Sequence, residues 1–122
     1  MTVNNNLKAD VKQATKDNII ANCTYIAVGT GTTTPAADDT ILEAEVLRKA
    51  IQEYVENTNN VIVSGRLAAT EANGNDLAEF GLLNASSAGD LQSHDIHIQF
   101  TKSSSVEVWY DNQFDIQVVI NE

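Results

Sequence analysis

The chain has 122 residues, 43% hydrophobic and 20% charged, which is typical of one globular domain rather than of a disordered segment. Seven basic and seventeen acidic side chains give a net charge of −10, which repels phosphate and anionic lipid and disfavours nucleic-acid or membrane-surface binding. No apolar run approaches the ~20 residues of a membrane span, and the polar N-terminal segment does not resemble a signal peptide, so we expect folding in the cytoplasm of the producing cell.

The N-terminal segment is predicted to form a short helix over residues 5–21, with Asn5 or Asn6 as its N-cap. Three- and four-residue spacing places a weak stripe on one face of this helix, made of Leu7, Val11, Ala14 and Asn18. We therefore divide the chain into a helical arm, residues 1–22, and a second domain, residues 23–122.

Strand signals begin directly after the arm. Residues 25–28 are apolar and end at Gly29 and Gly31, and Pro35 excludes a central strand from the loop at 32–40. Residues 41–50 suit either a helical turn or a strand. Residues 51–56 and 61–67 are predicted to pair as a hairpin through the polar turn 57–60, and another strand follows at 77–83.

The last third of the chain alternates apolar and polar residues, which is typical of antiparallel strands with one buried face. The turns between these strands are predicted at 102–105 and 111–113. The predicted inward positions are Ile96, Ile98 and Phe100, then Val106, Val108 and Tyr110, then Phe114, Ile116, Val118 and Ile120. We predict a mainly β fold, an antiparallel, jelly-roll-like β-sandwich with a short N-terminal helix.

The Gly-Thr stretch, residues 29–34, superficially resembles a phosphate-binding loop. Such a loop needs glycines for close backbone approach and a lysine or a helix N-terminus to hold the anion. This stretch lacks both GK[ST] and GxGxxG, and Asp38 and Asp39 follow it and would repel phosphate. A structural turn is the better interpretation, at the corner where one strand leaves the sandwich and the chain crosses over.

Other candidate chemistry is weak. His94 and His97 are three residues apart on a predicted strand, so they point to opposite faces, cannot share a metal and are interpreted as surface histidines. The aspartates beside turns lack calcium-loop spacing, Cys23 is predicted to be buried and unreactive, and no serine lies in a G-x-S-x-G motif. We predict no catalytic, cofactor-binding or metal-ligating residue and expect a protein that is not an enzyme.

Trp109 is the anomaly, because the alternation of its strand points it away from the core. An outward tryptophan packs under a loop or helix, lies in a subunit interface, or offers a surface for sugar binding. Packing or an interface is the favoured interpretation.

Several segments occur in a characteristic order along the chain: 25–31, 39–42, 45–46, 48–51, 71–74, 77–84 and 101–103, followed by the alternating strands. This ordered series resembles a family of small virion proteins of tailed bacteriophages and archaeal tailed viruses, described as tail-fibre-like, baseplate-associated or capsid-decorating. The resemblance implies a structural virion protein without catalytic residues, located in the virion and acting by protein–protein assembly.

The expected partners are copies of the same chain, as a homotrimer or higher ring, and other virion proteins, with no nucleic acid and no membrane. The candidate interface residues are Leu7, Val11, Phe80, Leu82 and Trp109. Two other interpretations stay open: a glycan- or receptor-binding module at a virion tip, with Trp109 and loop aspartates as its platform, and a small enzyme, which needs a cleft with perturbed titratable groups.

Overall fold

The computed structural model describes residues 2–119. In this range the chain forms one helix and seven strands: α1 (Asn5–Asn22), β1 (Tyr25–Gly29), β2 (Glu45–Ala50), β3 (Glu53–Glu56), β4 (Asn60–Leu67), β5 (Asp76–Leu83), β6 (Leu91–Thr101) and β7 (Val108–Asp115). The helix is not long and apolar enough to cross a membrane, and no other helix occurs among the described residues.

The strands form two antiparallel sheets, one with the order β2-β1-β5-β6 and the other with the order β3-β4-β7. The predicted mainly β, sandwich-like fold is therefore confirmed. The core between the sheets is apolar and includes Ile26, Val28, Val63, Leu67, Leu77, Leu82 and Tyr110. Gly65 of β4 packs directly against the Ile26 side chain of β1 in the opposite sheet, because a Cβ atom at Gly65 would overlap this side chain.

The ambiguous segment 41–50 contains strand β2, which pairs with β1 as its antiparallel neighbour. Residues 30–44 join these two strands of one sheet, and we call them the long loop. The chain passes to the other sheet at residues 51–52, between β2 and β3. The prediction that the chain crosses over at the Gly-Thr stretch is therefore wrong, because pairing with β5 and β2 keeps β1 inside its own sheet.

The C-terminal segment differs from the predicted pattern in three places. The prediction that Val106 faces inward on a strand is wrong, because this residue precedes β7 and is exposed. The predicted turn at 111–113 lies inside β7, which pairs with the whole of β4 from Asn60↔Asp115 to Leu67↔Val108. The polar residues of this segment are typical of a turn, but they are also compatible with a strand. Asp111 and Gln113 are exposed and point outward. The Asn112 side chain donates to the Val63 carbonyl of β4. Residues 116–119 are not in a strand, and Ile120 lies outside the described residues.

Strand β6 contains a bulge that breaks its predicted apolar face. Leu77 pairs with Phe100 and Glu79 pairs with Ile96. A step of two residues along β5 is therefore matched by a step of four residues along β6, which has two extra residues here. Extra residues in a bulge change the face of the sheet to which the neighbouring side chains point. His97 consequently stacks on Phe100 with ring centroids 5.3 Å apart, while Ile98 is 93% exposed. The prediction that Ile98 is buried is therefore wrong.

Helix α1 packs on the β3–β4 hairpin through polar groups. Lys16 is a buried residue whose ammonium group donates to the Asn57 carbonyl at 3.0 Å, and Lys12 donates to the Asn59 side chain at 2.7 Å. The N-cap is Asn4, whose side chain accepts from the Asn6 N–H at 2.8 Å, and not Asn5 or Asn6 as predicted. The helix thus turns its lysines toward the domain and leaves the predicted stripe in solvent.

A second buried lysine holds the loop between β4 and β5. The Lys102 side chain, fully buried after β6, donates to the Ala69 and Ser103 carbonyls and to the Asn73 side chain at 3.0–3.3 Å. These oxygens replace water around the ammonium group, which is the condition under which a buried charge is tolerated. The predicted turn at 102–105 therefore also anchors a neighbouring loop.

Candidate functional site

The most unusual side chain in the domain is Glu79, a fully buried glutamate in the central strand β5. One carboxylate oxygen accepts the N–H groups of Gly31 at 2.7 Å and Ala44 at 2.8 Å. The other accepts the Glu43 N–H at 2.9 Å and lies 2.9 Å from Nε2 of His94. Three of these contacts come from the long loop, so Glu79 ties both ends of this loop to the sheet.

His94 of β6 joins this carboxylate to a second one. Its Nδ1 lies 2.9 Å from Oδ2 of Asp39, and this same oxygen accepts the Ala36 N–H at 2.8 Å. The imidazole is therefore held between one buried and one partly exposed acid, with only 8% of its side chain in solvent. We call Asp39, Glu79 and His94 the carboxylate–imidazole cluster.

The glycines of the Gly-Thr stretch make this arrangement possible. A Cβ atom at Gly31 would overlap the Glu79 carboxylate, and one at Gly29 would overlap the Ala44 carbonyl. Close backbone approach to an anion is the property that phosphate loops exploit. Here the anion is a carboxylate of the same chain, so the stretch serves an internal contact, and the rejection of a phosphate site agrees with this geometry.

Hydrogen bonding outweighs burial in setting the charges of the cluster. Burial on its own would raise the pKa of Glu79, but the N–H groups of Ala44, Glu43 and Gly31, together with His94, lower it below its ordinary value. Burial would likewise lower the pKa of His94, but Asp39 and Glu79 raise it. The pKa of Asp39 is lowered by the Ala36 N–H and then by His94. All three shifts favour the charged forms, an imidazolium between two carboxylates.

This arrangement leaves little capacity for acid–base chemistry. Both nitrogens of His94 and both oxygens of Glu79 already have partners, so neither offers a free lone pair or proton to a substrate. The clefts on either side of Asp39 and His94 are open and hold about 280 and 270 Å³. No group of three or more His, Cys, Asp and Glu side chains in residues 2–119 is arranged to hold a metal ion.

The structure separates the five candidate interface residues into two sets. Leu7, Val11 and Trp109 are 51%, 40% and 44% exposed and are available for contact. Leu82 is fully buried in the core, and Phe80 packs on the Tyr110 ring at a centroid distance of 5.0 Å. The prediction that Leu82 is an interface residue is wrong, because its side chain lies in the core between the two sheets. Phe80 is only partly buried and lines a cleft that is open to solvent, so its place in an interface stays a prediction.

The two histidines lie apart, as predicted, but they are not surface residues. His94 contacts Glu79 on the side covered by the long loop, whereas His97 stacks on Phe80 and contacts the Tyr110 hydroxyl at 3.0 Å. Sequence reasoning missed Glu79 altogether. The available signal was a charged residue inside the otherwise apolar strand LAEFGLL.

Trp109 has a fixed orientation on the outer surface of β7. Its indole N–H donates to Glu107 at 2.7 Å, and Arg66 of β4 donates to both oxygens of this carboxylate at 2.8 and 3.0 Å. Arg66 and then Trp109 lower the pKa of Glu107 to about 2. The exposed face of the indole is therefore presented in one orientation.

Together these features define an antiparallel two-sheet β-sandwich with an N-terminal helix and a buried carboxylate–imidazole cluster. The chain matches no protein-family model, and no curated protein is significantly similar to it in sequence. The resemblance to small virion proteins therefore stays a prediction.

Proposed function

We propose that this protein is a structural component of a tailed virus particle, associated with the tail, baseplate or fibre or decorating the capsid. It acts by protein–protein assembly, as a homotrimer or higher ring and with other virion proteins. Large apolar side chains in solvent on an otherwise acidic domain are the main support: Ile98, Leu7, Trp109 and Val11.

The carboxylate–imidazole cluster fits this role better than a catalytic one. The acids and the imidazole of the cluster form hydrogen bonds that hold the long loop in place. This loop also carries Ile41, a further exposed apolar side chain. A loop held in one conformation before binding loses less conformational entropy when a partner docks on it. The cluster therefore favours a preformed assembly surface.

Particle association is the direct test. Virus particles are purified from the cells that produce this protein, and mass spectrometry of these particles is expected to detect the chain. Leu7→Glu is expected to reduce its incorporation at least several-fold, because a charge is placed on the apolar stripe of the helix. Ala9→Glu adds the same charge at an exposed position off the stripe and is expected to leave incorporation unchanged.

Absence of the chain from purified particles would overturn the assignment. Equal incorporation of both variants would instead show that the apolar stripe of the helix is not part of the interface. Circular dichroism and a thermal melt of each variant separate a folding defect from a defect in assembly.

A glycan- or receptor-binding role is the second candidate, favoured by the fixed, half-exposed indole of Trp109. Sugars stack on aromatic faces that are held in place. On a glycan array, Trp109→Ala is expected to weaken a positive signal about fivefold or more, because the contribution of one aromatic face is lost. Val106→Ala, which truncates another exposed apolar side chain, is the matched control. An array without any signal would remove this candidate.

A further inference from the structure

The open side of the sandwich carries a second candidate contact, away from the long loop. β6 and β7 are the edge strands of their respective sheets and lie on the same side, joined where His97 contacts the Tyr110 hydroxyl. Beside this junction the edges separate around a cleft of about 320 Å³. The cleft is lined by residues 93–95 of β6, residues 111–114 of β7 and Phe80.

The lining combines aromatic rings with uncompensated negative charge. Phe80 and Phe114 are partly buried members of the core that reach this cleft. Asp95 and Asp111 are exposed, and neither forms an ion pair among the described residues. The nearby His94 does not neutralise them, because Asp39 and Glu79 already engage both of its ring nitrogens.

The edge of β7 lacks two common protections, a lysine and a bulge, whereas β6 contains a bulge. Natural edge strands often carry lysines that prevent pairing with another chain, whereas β6 and β7 contain no lysine or arginine. The unpaired backbone side of an edge strand can accept an additional strand from a partner. Backbone groups would supply the pairing, and the two aspartates would favour a cation.

We propose that this cleft binds an extended segment of another protein, which pairs with the free edge of β7 and places a lysine or arginine between Asp95 and Asp111. A second copy of this chain is a poor occupant, because it also has a net charge of −10. Six of the seven basic side chains donate hydrogen bonds within their own chain: Lys12, Lys16, Arg48, Lys49, Arg66 and Lys102. The partner is therefore a different, basic chain.

The inference names a partner class for the proposed assembly function and is tested without particles, so the two can fail separately. The probe is an eight-residue peptide in which lysine alternates with valine, titrated into isotope-labelled protein and followed by amide chemical shifts. We expect shifts concentrated in residues 93–95 and 111–114. The same peptide with glutamate in place of lysine is expected to cause none.

Charge variants separate the cleft from general attraction to an acidic protein. Asp111→Asn is expected to weaken binding about two- to fivefold, as for one exposed ion pair, while its remaining oxygen can still accept from Ser64. Asp115→Asn changes the net charge equally on the same strand but outside the cleft, and is expected to bind as the parent protein does.

Equal weakening by the two variants, shifts spread over other surfaces, or no binding would each overturn the proposal. A preference for the glutamate peptide would do the same. Shifts confined to the cleft and sensitive only to Asp111→Asn would support it.

Discussion

Glu79→Ala is expected to lower the free energy of unfolding by about 3–5 kcal/mol, the cost of breaking a buried ionic network by removing one partner. The substitution leaves the Gly31, Glu43 and Ala44 N–H groups without their acceptor and leaves His94 with one carboxylate instead of two. Each buried donor without a partner is costly because it has given up water and gained nothing. Urea unfolding followed by tryptophan fluorescence measures the difference.

Glu43→Ala is the matched control for this substitution. Glu43 lies on the same loop, and its carboxylate accepts a single exposed hydrogen bond from the Thr33 N–H at 3.0 Å. We expect it to cost less than about 1 kcal/mol. Hydrogen exchange at Gly31 and Ala44 should accelerate only in Glu79→Ala. A Glu79→Ala protein as stable as the control would mean that the cluster does not hold the loop.

Stability is expected to fall as the pH rises above about 6.5, because His94 loses one of the two N–H protons that its charged ring donates to Asp39 and Glu79. The pKa of His94 in the folded protein is raised above the ordinary value of 6.5. Its contribution is therefore fully present below pH 6.5 and is lost as the pH rises through the folded pKa. Once neutral, the ring keeps one N–H and turns a lone pair toward the other carboxylate.

The acids of the cluster give the opposite dependence on the low-pH side. The pKa values of Asp39 and Glu79 in the folded protein are lowered from their ordinary values of 3.8 and 4.5. Their contributions to stability are therefore present above the ordinary values and are lost as the pH falls through the pKa values of the folded protein. Maximum stability from the cluster is expected between about pH 4.5 and 6.5. Burial raises the pKa of Cys23 to about 11 and of Tyr110 to about 12, so neither group interferes there.

The measurement is the free energy of unfolding between pH 6.5 and about 8.5 for the parent protein and for His94→Gln. The parent protein should lose stability across this range, and His94→Gln should not, because glutamine does not titrate. An unchanged slope in His94→Gln would exclude His94 as the titrating group.

Much of the fold could be predicted from local patterns. The helix, the strand β1, the β3–β4 hairpin and the apolar strand β5 all lie where hydrophobic periodicity and turn residues placed them. The errors occurred where a tertiary contact overrides a local signal. The polar residues inside β7 were interpreted as a turn, but they belong to a strand with one exposed face. Ile98 fits a regular alternation of apolar residues, but the bulge in β6 places its side chain in solvent.

The candidate site was not predictable in the same way. Asp39, Glu79 and His94 are 15 to 55 positions apart along the chain, and no short motif links them. Only the pairing of β5 with β6, and the return of the long loop over β5, bring the three side chains together. The sequence showed glycines able to approach an anion closely, but not that this anion would be Glu79.

The sequence by itself determined the strand-rich architecture, the acidic surface and the outward position of Trp109, because periodicity and composition act over a few neighbouring residues. The tertiary structure alone decided which charges are buried, which apolar residues stay in solvent and which edges lie open. Those outcomes depend on sheet register and on loops that contact distant strands. A buried glutamate is tolerated only where three loop N–H groups and an imidazole meet it.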